Sequence, residues 1–419
     1  MELLTLAQKQ TQFSADHCIK CNICTAACPV AAVTDLFPGP KAVGPQMQRL
    51  RHPNLNSPDA SVSLCSGCGT CTLVCPHGVQ IAEMNTIAKA EVTARDGMKL
   101  RDRLLARPAW MGRLGGLVPG LANAALNLPL ARRLTEAVLG ISRHAPLPRF
   151  RWGTFRGWFK HWQPQQPARQ AIGQRKVVYF HGCSTNYFEH EVGQAAVAVL
   201  AHNGCKVSIA QQNCCGLPLQ SNGDFAGARH LARENIRKLA PYVKENYIIV
   251  GTSTSCTLAL KHDYRAILGL SGADVDLVAE NTYDFFEFLA LLAQDGQMNT
   301  RFRSLNETLF YHAPCQQRSH FIGQPAADLL RRVPGLRVVE STAMCCGVAG
   351  TYGLKAEKYD IALAVGQDLF AQQAAAQADG TICDSETCRW WLDAHTGSQS
   401  QHPVMVLARA YGLPAGGRK

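Results

Sequence analysis

The sequence predicts a mixed α+β and α/β protein, in which a small cysteine-rich helical domain is followed by two copies of an α/β domain. Three observations predict this organisation. One cysteine spacing occurs twice near the amino terminus, three cysteine motifs recur about 130 residues apart in the second half, and short apolar segments alternate there with longer helical ones. We expect four segments: residues 1–95, 96–175, 176–300 and 301–419.

The composition of the chain limits the roles that its cysteines can have. The chain has 18 cysteines in 419 residues, and the residues before Cys18 lack the basic, apolar and small-residue regions of a secretory signal. We therefore expect a cytosolic location, where thiols stay reduced. Reduced thiols in this number indicate metal ligands or redox groups more than a disulfide framework.

The first domain contains the spacing Cys-x2-Cys-x2-Cys-x3-Cys-Pro twice, in "CIKCNICTAACP" and "CSGCGTCTLVCP". This is the bacterial ferredoxin pattern, in which three thiolates surround one [4Fe–4S] cluster and the fourth ligates the neighbouring cluster. A zinc site uses four ligands, so eight cysteines in this doubled pattern fit zinc poorly. The predicted ligands are Cys18, Cys21, Cys24 and Cys75 for cluster one, and Cys65, Cys68, Cys71 and Cys28 for cluster two.

A basic segment follows a predicted helix, "VQIAEMNTIAKAEVTARDGM". Residues 95–176 contain 16 Lys and Arg against 3 Asp and Glu, which predicts a docking surface for a partner or a membrane. The longest uncharged window of this basic segment, residues 114–131, contains Pro119 and Pro129. Because proline interrupts a helix and the window is short, we expect no membrane-spanning helix there.

Aromatic and basic residues alternate near the end of this segment, in "PRFRWGTFRGWFKHW". The spacing predicts one helix that is typical of binding to an anionic membrane surface. The alternative is that the aromatics cover a neighbouring domain while the charges are solvated. No nucleic-acid-binding fold accompanies the segment, so we expect no nucleic-acid partner. The residues concerned are Trp152, Phe155, Phe159 and Trp162, with Arg149, Arg151, Arg156 and Lys160.

From residue 176 onward, three motifs occur twice. "YFHGC", "NCCGLP" and "STSC" match "YHAPC", "MCCGVAG" and "SETC" at offsets of 131 or 132 residues. The short strands "KVVYF" and "YIIVG" end at cysteine-bearing loops, so we expect the cysteines of each copy to meet at one end of its sheet. The candidate ligands are Cys183, Cys214, Cys215 and Cys256 in copy one, and Cys315, Cys345, Cys346, Cys383 and Cys388 in copy two.

The doubled motif resembles the cysteine-rich CCG domain, and the whole chain resembles the iron–sulfur subunit family of anaerobic glycerol-3-phosphate dehydrogenases. Segments such as "FPGPKAVGP", "FHGCSTNY", "CCGLPLQSNG" and "SETCRWW" carry the resemblance. It implies an iron–sulfur subunit of anaerobic respiration, without catalytic residues, that passes electrons from flavin-bearing subunits to the quinone pool. It also implies a peripheral location at the cytoplasmic face of the inner membrane. The sequence contains no flavin or nicotinamide fingerprint, in agreement with this role.

Alternatives remain open at this point. One is the iron–sulfur subunit of a glycolate or lactate oxidase or of a heterodisulfide-reductase-like complex, and another is a non-redox scaffold. In heterodisulfide reductases five cysteines hold a noncubane cluster, whereas Ser253 and Ser385 stand at one of those positions here. Because Cys383 is a candidate replacement, we expect copy two to be the better cluster or redox site; the alternative is inert buried thiols. The neighbouring His17, His77, His181 and His312 are interpreted as loop or packing residues.

Overall fold

The amino-terminal domain is small and helical. The computed structural model describes residues 10–11, 14–51, 60–162 and 175–414. Helices α1 (Ile23–Ala26) and α2 (Thr70–Leu73) each follow a cysteine loop, and the longer α3 (Ile81–Asp96) begins just after the second loop. Ile81 and Met84 in the first turn of α3 complete an apolar core around the cysteines. The helix predicted after the second motif is therefore confirmed.

Short helices form the basic segment: α4 (Leu100–Leu105), α5 (Pro108–Gly115), α6 (Pro119–Asn127), α7 (Pro129–Leu139) and α8 (Phe155–Phe159). Proline is the first residue of α5, α6 and α7, where its missing N–H breaks no helical hydrogen bond. Within the described ranges, no helix has both the length and the apolar character needed to cross a membrane.

The prediction of one aromatic helix face ending at Trp162 is wrong. Helix α8 begins only at Phe155, which is fully buried against Tyr179 of the first sheet. Phe159 and Trp162 pack on the same core, and only Trp152 is largely exposed. These aromatic rings therefore cover the neighbouring domain, as the alternative interpretation of the segment expects.

Copy one is a four-stranded parallel sheet with helices on its faces, as predicted. Strand order is β2-β1-β3-β4, and the central pair runs in register from Lys176 opposite Tyr247 to Phe180 opposite Gly251. Its elements are β1 (Lys176–Phe180), α9 (Gly182–Tyr187), α10 (His190–His202), β2 (Lys206–Ser208), α11 (Leu217–Ser221), α12 (Phe225–Lys244), β3 (Tyr247–Gly251), α13 (Thr254–Leu258), α14 (Tyr264–Ala266), α15 (Ala273–Glu280), β4 (Thr282–Asp284) and α16 (Phe285–Gln294).

Copy two repeats this topology, with parallel strand order β6-β5-β7-β8. Its elements are β5 (Glu307–His312), α17 (Cys315–Arg318), α18 (Pro325–Leu330), β6 (Leu336–Glu340), α19 (Ala356–Ala375), β7 (Gly380–Cys383), α20 (Glu386–Thr396), β8 (Ser400–Gln401) and α21 (Pro403–Ala410).

The two copies share one hydrophobic core. Fully buried residues of copy one, such as Tyr179 and Leu200, belong to the same cluster as Leu309, Tyr311 and Leu407 of copy two. Burial of each such side chain contributes roughly 1.5–3 kcal/mol. The duplicated region therefore folds as one body, with the cysteine-bearing loops of both sheets on one side of it.

Candidate iron–sulfur sites

The two cysteine loops of the amino-terminal domain have the same backbone. Lys20 and Asn22 in the first loop have positive φ angles of 62° and 71°, and Gly67 and Gly69 at the matching positions of the second have 71° and 80°. This left-handed conformation costs a non-glycine residue about 1–2 kcal/mol. The first loop adopts the left-handed conformation without glycine, so the surrounding structure fixes its shape. Both loops turn their thiols inward.

The first thiol group is drawn from both motifs. Cys24 interacts electrostatically with Cys18, Cys75 and Cys21, and these four cysteines line one small cavity. Ile23 and Val79 are among the apolar residues around the same cavity. A thiolate-lined, apolar pocket of this kind fits an iron–sulfur cluster.

The second thiol group has the complementary composition. Cys71 interacts with Cys65, Cys68 and Cys28, so the last cysteine of the first motif lies with the second loop. Burial raises the pKa of the Cys28 thiol and, further, that of Cys71. Without a cation both thiols would stay protonated, and bound iron supplies the positive charge that favours the thiolate. The donor set thus fits a second cluster.

Copy one brings its four candidate cysteines into a row at the carboxyl end of its sheet. The Sγ atoms of Cys183 and Cys214 are 3.8 Å apart, and Cys215 lies between Cys214 and Cys256. Hydrogen bonds from Cys183 and Cys215 hold the pKa of Cys214 well below its ordinary value.

Serine stands where the fifth ligand is missing in copy one. The Ser253 hydroxyl lies 3.3 Å from a carboxylate oxygen of Glu386, which reaches over from copy two. Burial raises the pKa of this carboxyl group, while Arg389 opposes the shift. Glu386 is not predictable as a site residue from the sequence, because its place beside copy one depends on how the copies pack.

Copy two contains the same row and extends it. Cys315 interacts with Cys345, which lies beside Cys346, and the Sγ atoms of Cys346 and Cys388 are 3.0 Å apart. Cys383 lies beside Cys388, as its place at the end of an extended segment predicted.

Histidine is a further difference between the copies. A ring nitrogen of the buried His312 lies within 4.8 Å of the Sγ atoms of Cys346 and Cys388. The sequence favoured a loop or packing role for His312, but the 132-residue offset aligns it with Phe180, and this difference between the copies is a signal that marks it. His181, by contrast, hydrogen-bonds Gly182 and Arg156. His17 and His77 are exposed.

The second thiol group adjoins copy two. Cys68 interacts with Cys345 and Cys315, and the Gln316 amide donates a hydrogen bond of 3.3 Å to the carbonyl of Gly67. A cavity of about 720 Å³ lies between the amino-terminal domain and the two copies, and cysteines of all three line it. The fold therefore gathers the thiol groups around one interior space.

Comparison with known proteins agrees with this architecture. Residues 14–79 match the 4Fe-4S dicluster domain, and residues 177–261 and 309–393 match the Cysteine-rich domain, called CCG. The chain is 33% identical over 401 residues to the C subunit of the anaerobic glycerol-3-phosphate dehydrogenase of Escherichia coli (strain K12), and the match covers 95% of this chain and 98% of the relative. The chain belongs to the iron–sulfur subunit family of anaerobic glycerol-3-phosphate dehydrogenases.

A second relative extends the comparison to another complex. The chain is 25% identical over 396 residues to the D subunit of the dihydromethanophenazine:CoB–CoM heterodisulfide reductase of Methanosarcina mazei, covering 87% of this chain and 85% of that protein. This member of the glycerol-3-phosphate dehydrogenase family is thus an iron–sulfur electron-transfer subunit, and its cofactors are iron–sulfur clusters. The predicted family, fold class and cofactor type are confirmed.

Proposed function

We propose that the chain carries electrons from flavin-bearing catalytic subunits of an anaerobic glycerol-3-phosphate dehydrogenase complex to the quinone pool. The contact of the second thiol group with copy two supports this role, because it joins two redox-capable regions directly. Iron–sulfur clusters in such sites supply one-electron transfer. Oxidation of glycerol 3-phosphate itself belongs to the partner subunits, as the name of the Escherichia coli relative suggests.

The proposed function can be tested by asking which substrate reduces the iron–sulfur clusters. The chain is co-expressed with the flavin-bearing subunits, and reduction of its clusters is followed by paramagnetic resonance under anaerobic conditions. Glycerol 3-phosphate should reduce the clusters and a quinone analogue should reoxidise them. Reduction by glycolate or lactate instead would favour the alternative oxidases, and clusters that no donor reduces would favour a scaffold.

The ligand sets belong to the same proposal: Cys18, Cys21, Cys24 and Cys75 hold cluster one, and Cys65, Cys68, Cys71 and Cys28 hold cluster two. Replacing Cys75 with serine should remove the signal of cluster one and leave that of cluster two, because Cys75 lies with the first loop. Cys205→Ser is the matched control, since this buried thiol lies in the hydrophobic core of the duplicated region. Selective loss of cluster two would contradict the crossed assignment.

Docking on the cytoplasmic face of the inner membrane is assigned to helices α6 and α7. Large apolar side chains project from both, among them Leu121 at 74%, Leu130 at 78% and Val138 at 71% exposure. The surrounding segment carries the excess of positive charge, which complements anionic lipid. This surface replaces the aromatic helix of the sequence prediction, because Arg151 is paired with Glu191 there.

Vesicle binding tests the membrane surface. Replacing Leu121 and Leu130 with aspartate should weaken binding to vesicles containing phosphatidylglycerol at least tenfold, since burial of one leucine is worth about 1.5 kcal/mol or more. Leu36→Asp is the control, because Leu36 is 69% exposed but lies in the amino-terminal domain. Equal binding of both variants would contradict the assignment, and salt-independent binding would exclude the basic contribution.

A further inference from the structure

Two lysine side chains bind the backbone at the start of the second cysteine loop. Lys358 of helix α19 is only 8% exposed, and its ammonium donates a hydrogen bond to the carbonyl oxygen of Ser63. Lys89 of helix α3 is half-buried and donates a hydrogen bond of 2.8 Å to the carbonyl oxygen of Cys65. Both positive charges therefore lie beside the second thiol group.

The buried ammonium of Lys358 lacks a carboxylate of its own among the described residues. The two acids that act on it are already bound elsewhere, Glu357 by Arg101 and Asp102 by Lys355. Burial lowers the pKa of Lys358 to about 7. Because a buried charge is unfavourable unless an opposite charge compensates it, this ammonium needs a further negative group, and it faces the thiolates of the second loop.

A buried hydroxyl without a partner lies at the same place. Lys358 Nζ is 4.8 Å from the centre of the Tyr352 ring, and Tyr352 interacts electrostatically with Cys65 and Cys28. Within the described ranges, the Tyr352 hydroxyl makes no hydrogen bond although it is buried. Buried polar groups are nearly always paired, so an acceptor that is not part of the chain is indicated, and a cluster sulfur fits.

Copy one lacks these basic side chains. Residues 216–228 of copy one and 347–362 of copy two correspond, because each range begins at the glycine after the double cysteine and ends at the alanine that this glycine contacts. The first range contains no Lys or Arg, whereas the second contains Lys355 and Lys358. The lysines are thus not needed for the fold of a copy, and they occur in the copy that adjoins the second thiol group.

The lysines at the first thiol group are less buried. Lys20 and Lys41 line its cavity, but Lys20 is exposed and the half-buried Lys41 donates a hydrogen bond to Asn22. Water and salt screen charges at the surface, whereas charges in the protein interior act on each other more strongly. The buried lysine therefore has the larger effect on its cluster.

Glu83 opposes the lysines at the second thiol group, since its charge acts on Cys71. Its carboxylate accepts a hydrogen bond of 2.7 Å from the Thr72 hydroxyl and lies 3.9 Å from a ring nitrogen of His262. One acid against two lysines leaves an excess of positive charge.

We infer that Lys358 and Lys89, together with the Tyr352 hydroxyl, raise the midpoint potential of cluster two above that of cluster one and so direct electrons towards copy two. Reduction adds one negative charge to a cluster, and nearby cations and hydrogen bonds to its sulfurs stabilise that charge. The electron oxidises cluster one as it leaves and reduces cluster two, whose Cys68 adjoins Cys345. This order rests on the ligand sets and the electron-transfer role proposed above.

Midpoint potentials test the inference without substrate or quinone, so the result does not depend on which donor or acceptor the complex uses. Full-length protein with its clusters loaded is titrated anaerobically with redox mediators while paramagnetic resonance follows each cluster, and Cys75→Ser identifies the signal of cluster two. We expect cluster two to have the higher potential. Lys358→Met should make its reduction at least tenfold less favourable, which is about 59 mV for one electron, and leave the iron content unchanged.

Further variants separate charge from packing. Lys358→Arg keeps the charge and should keep the parent potential, and Tyr352→Phe should lower the potential by less than Lys358→Met. Lys41→Met, the matched control, should shift cluster one less than twofold, and Lys89→Met provides the same test as Lys358→Met should that variant not fold. A higher potential for cluster one in the parent protein would overturn the inference. Parent potentials in Lys358→Met and Lys89→Met, or equal losses in Lys358→Met and Lys358→Arg, would also overturn it.

Discussion

The two cysteine-rich copies share a backbone and a row of four thiols, but they differ behind that row. Copy one ends its central strands with Phe180 and Gly251, whereas copy two ends them with His312 and Cys383. Two cysteines of copy two, Cys345 and Cys315, interact with Cys68 of the amino-terminal domain. The duplication has kept the geometry that gathers the thiols, while the residues that decide what is bound have diverged.

The largest expected effect comes from separating the copies. A chain ending at residue 300 lacks Leu309, Tyr311 and Leu407, which complete the core around Tyr179 and Leu200. We expect this truncated protein to lose its cooperative unfolding transition, because most of the net stability of a domain rests on such burial. Urea denaturation followed by circular dichroism measures the transition, and a sharp one would show that copy one is independent.

A buried ion pair between the copies gives the next largest effect. Arg389 of copy two contacts Glu189 of copy one, and their side chains are only 4% and 12% exposed. Arg389→Ala should lower the free energy of unfolding by about 3–5 kcal/mol, because it leaves a buried carboxylate without its countercharge and with only the hydrogen bond from Trp390. The exposed pair of Arg237 and Glu234 is the control, and Arg237→Ala should leave the urea midpoint unchanged. Equal midpoints for both variants would contradict this prediction.

The glycines that follow the double cysteines differ in how much space surrounds them in the two copies. Gly216 and Gly347 have φ angles of 91° and 95°, so alanine is strained at both. A Cβ at Gly347 would lie 1.9 Å from the carbonyl oxygen of Ala362, against 3.2 Å from that of Ala228 at Gly216. We expect Gly347→Ala to cost about 3 kcal/mol or more and Gly216→Ala about 1–2 kcal/mol. Thermal unfolding ranks the variants, and the reverse order would contradict the structure.

The smallest effect concerns pH. Burial lowers the pKa of His320 to about 4, and its Nε2 lies 2.9 Å from the carbonyl oxygen of Thr254 in copy one. The folded state therefore favours the neutral ring. Above pH 6.5 the ring is neutral in both the folded and the unfolded state, so its protonation does not change the free energy of unfolding. As the pH falls from 6.5 to 4, the unfolded chain binds more protons, and the free energy of unfolding decreases by at most about 1.4 kcal/mol per pH unit.

His320→Gln should flatten this dependence. Urea midpoints at pH 7 and pH 5 should differ less in the variant than in the parent protein, while the values at pH 7 report the cost of the substitution itself. Identical slopes in both proteins would assign the acid sensitivity to other groups.

Local sequence patterns predicted much of the molecule. The spacing around Cys18 and Cys65 predicted two loops that turn their thiols inward, because a loop of this length fixes where each thiol points. The 132-residue offset predicted two α/β copies with cysteines at one end of each sheet, since parallel strands place their carboxyl ends together. Side-chain alternation in an extended segment also predicted that Cys383, two residues before Ser385, is a candidate for the missing ligand position of copy two.

Tertiary structure decided what lies beyond each motif. Four contacts join residues that are far apart in sequence. They are the burial of Phe155 against the first sheet, the contact of Glu386 with Ser253 of copy one, the contact of Cys68 with copy two, and the grouping of His312 with Cys388. Periodicity and spacing report only the direction of a side chain within its own element. Contacts between elements depend on how two copies and a helical domain pack, so the sequence alone determined the motifs, and packing determined which of them meet.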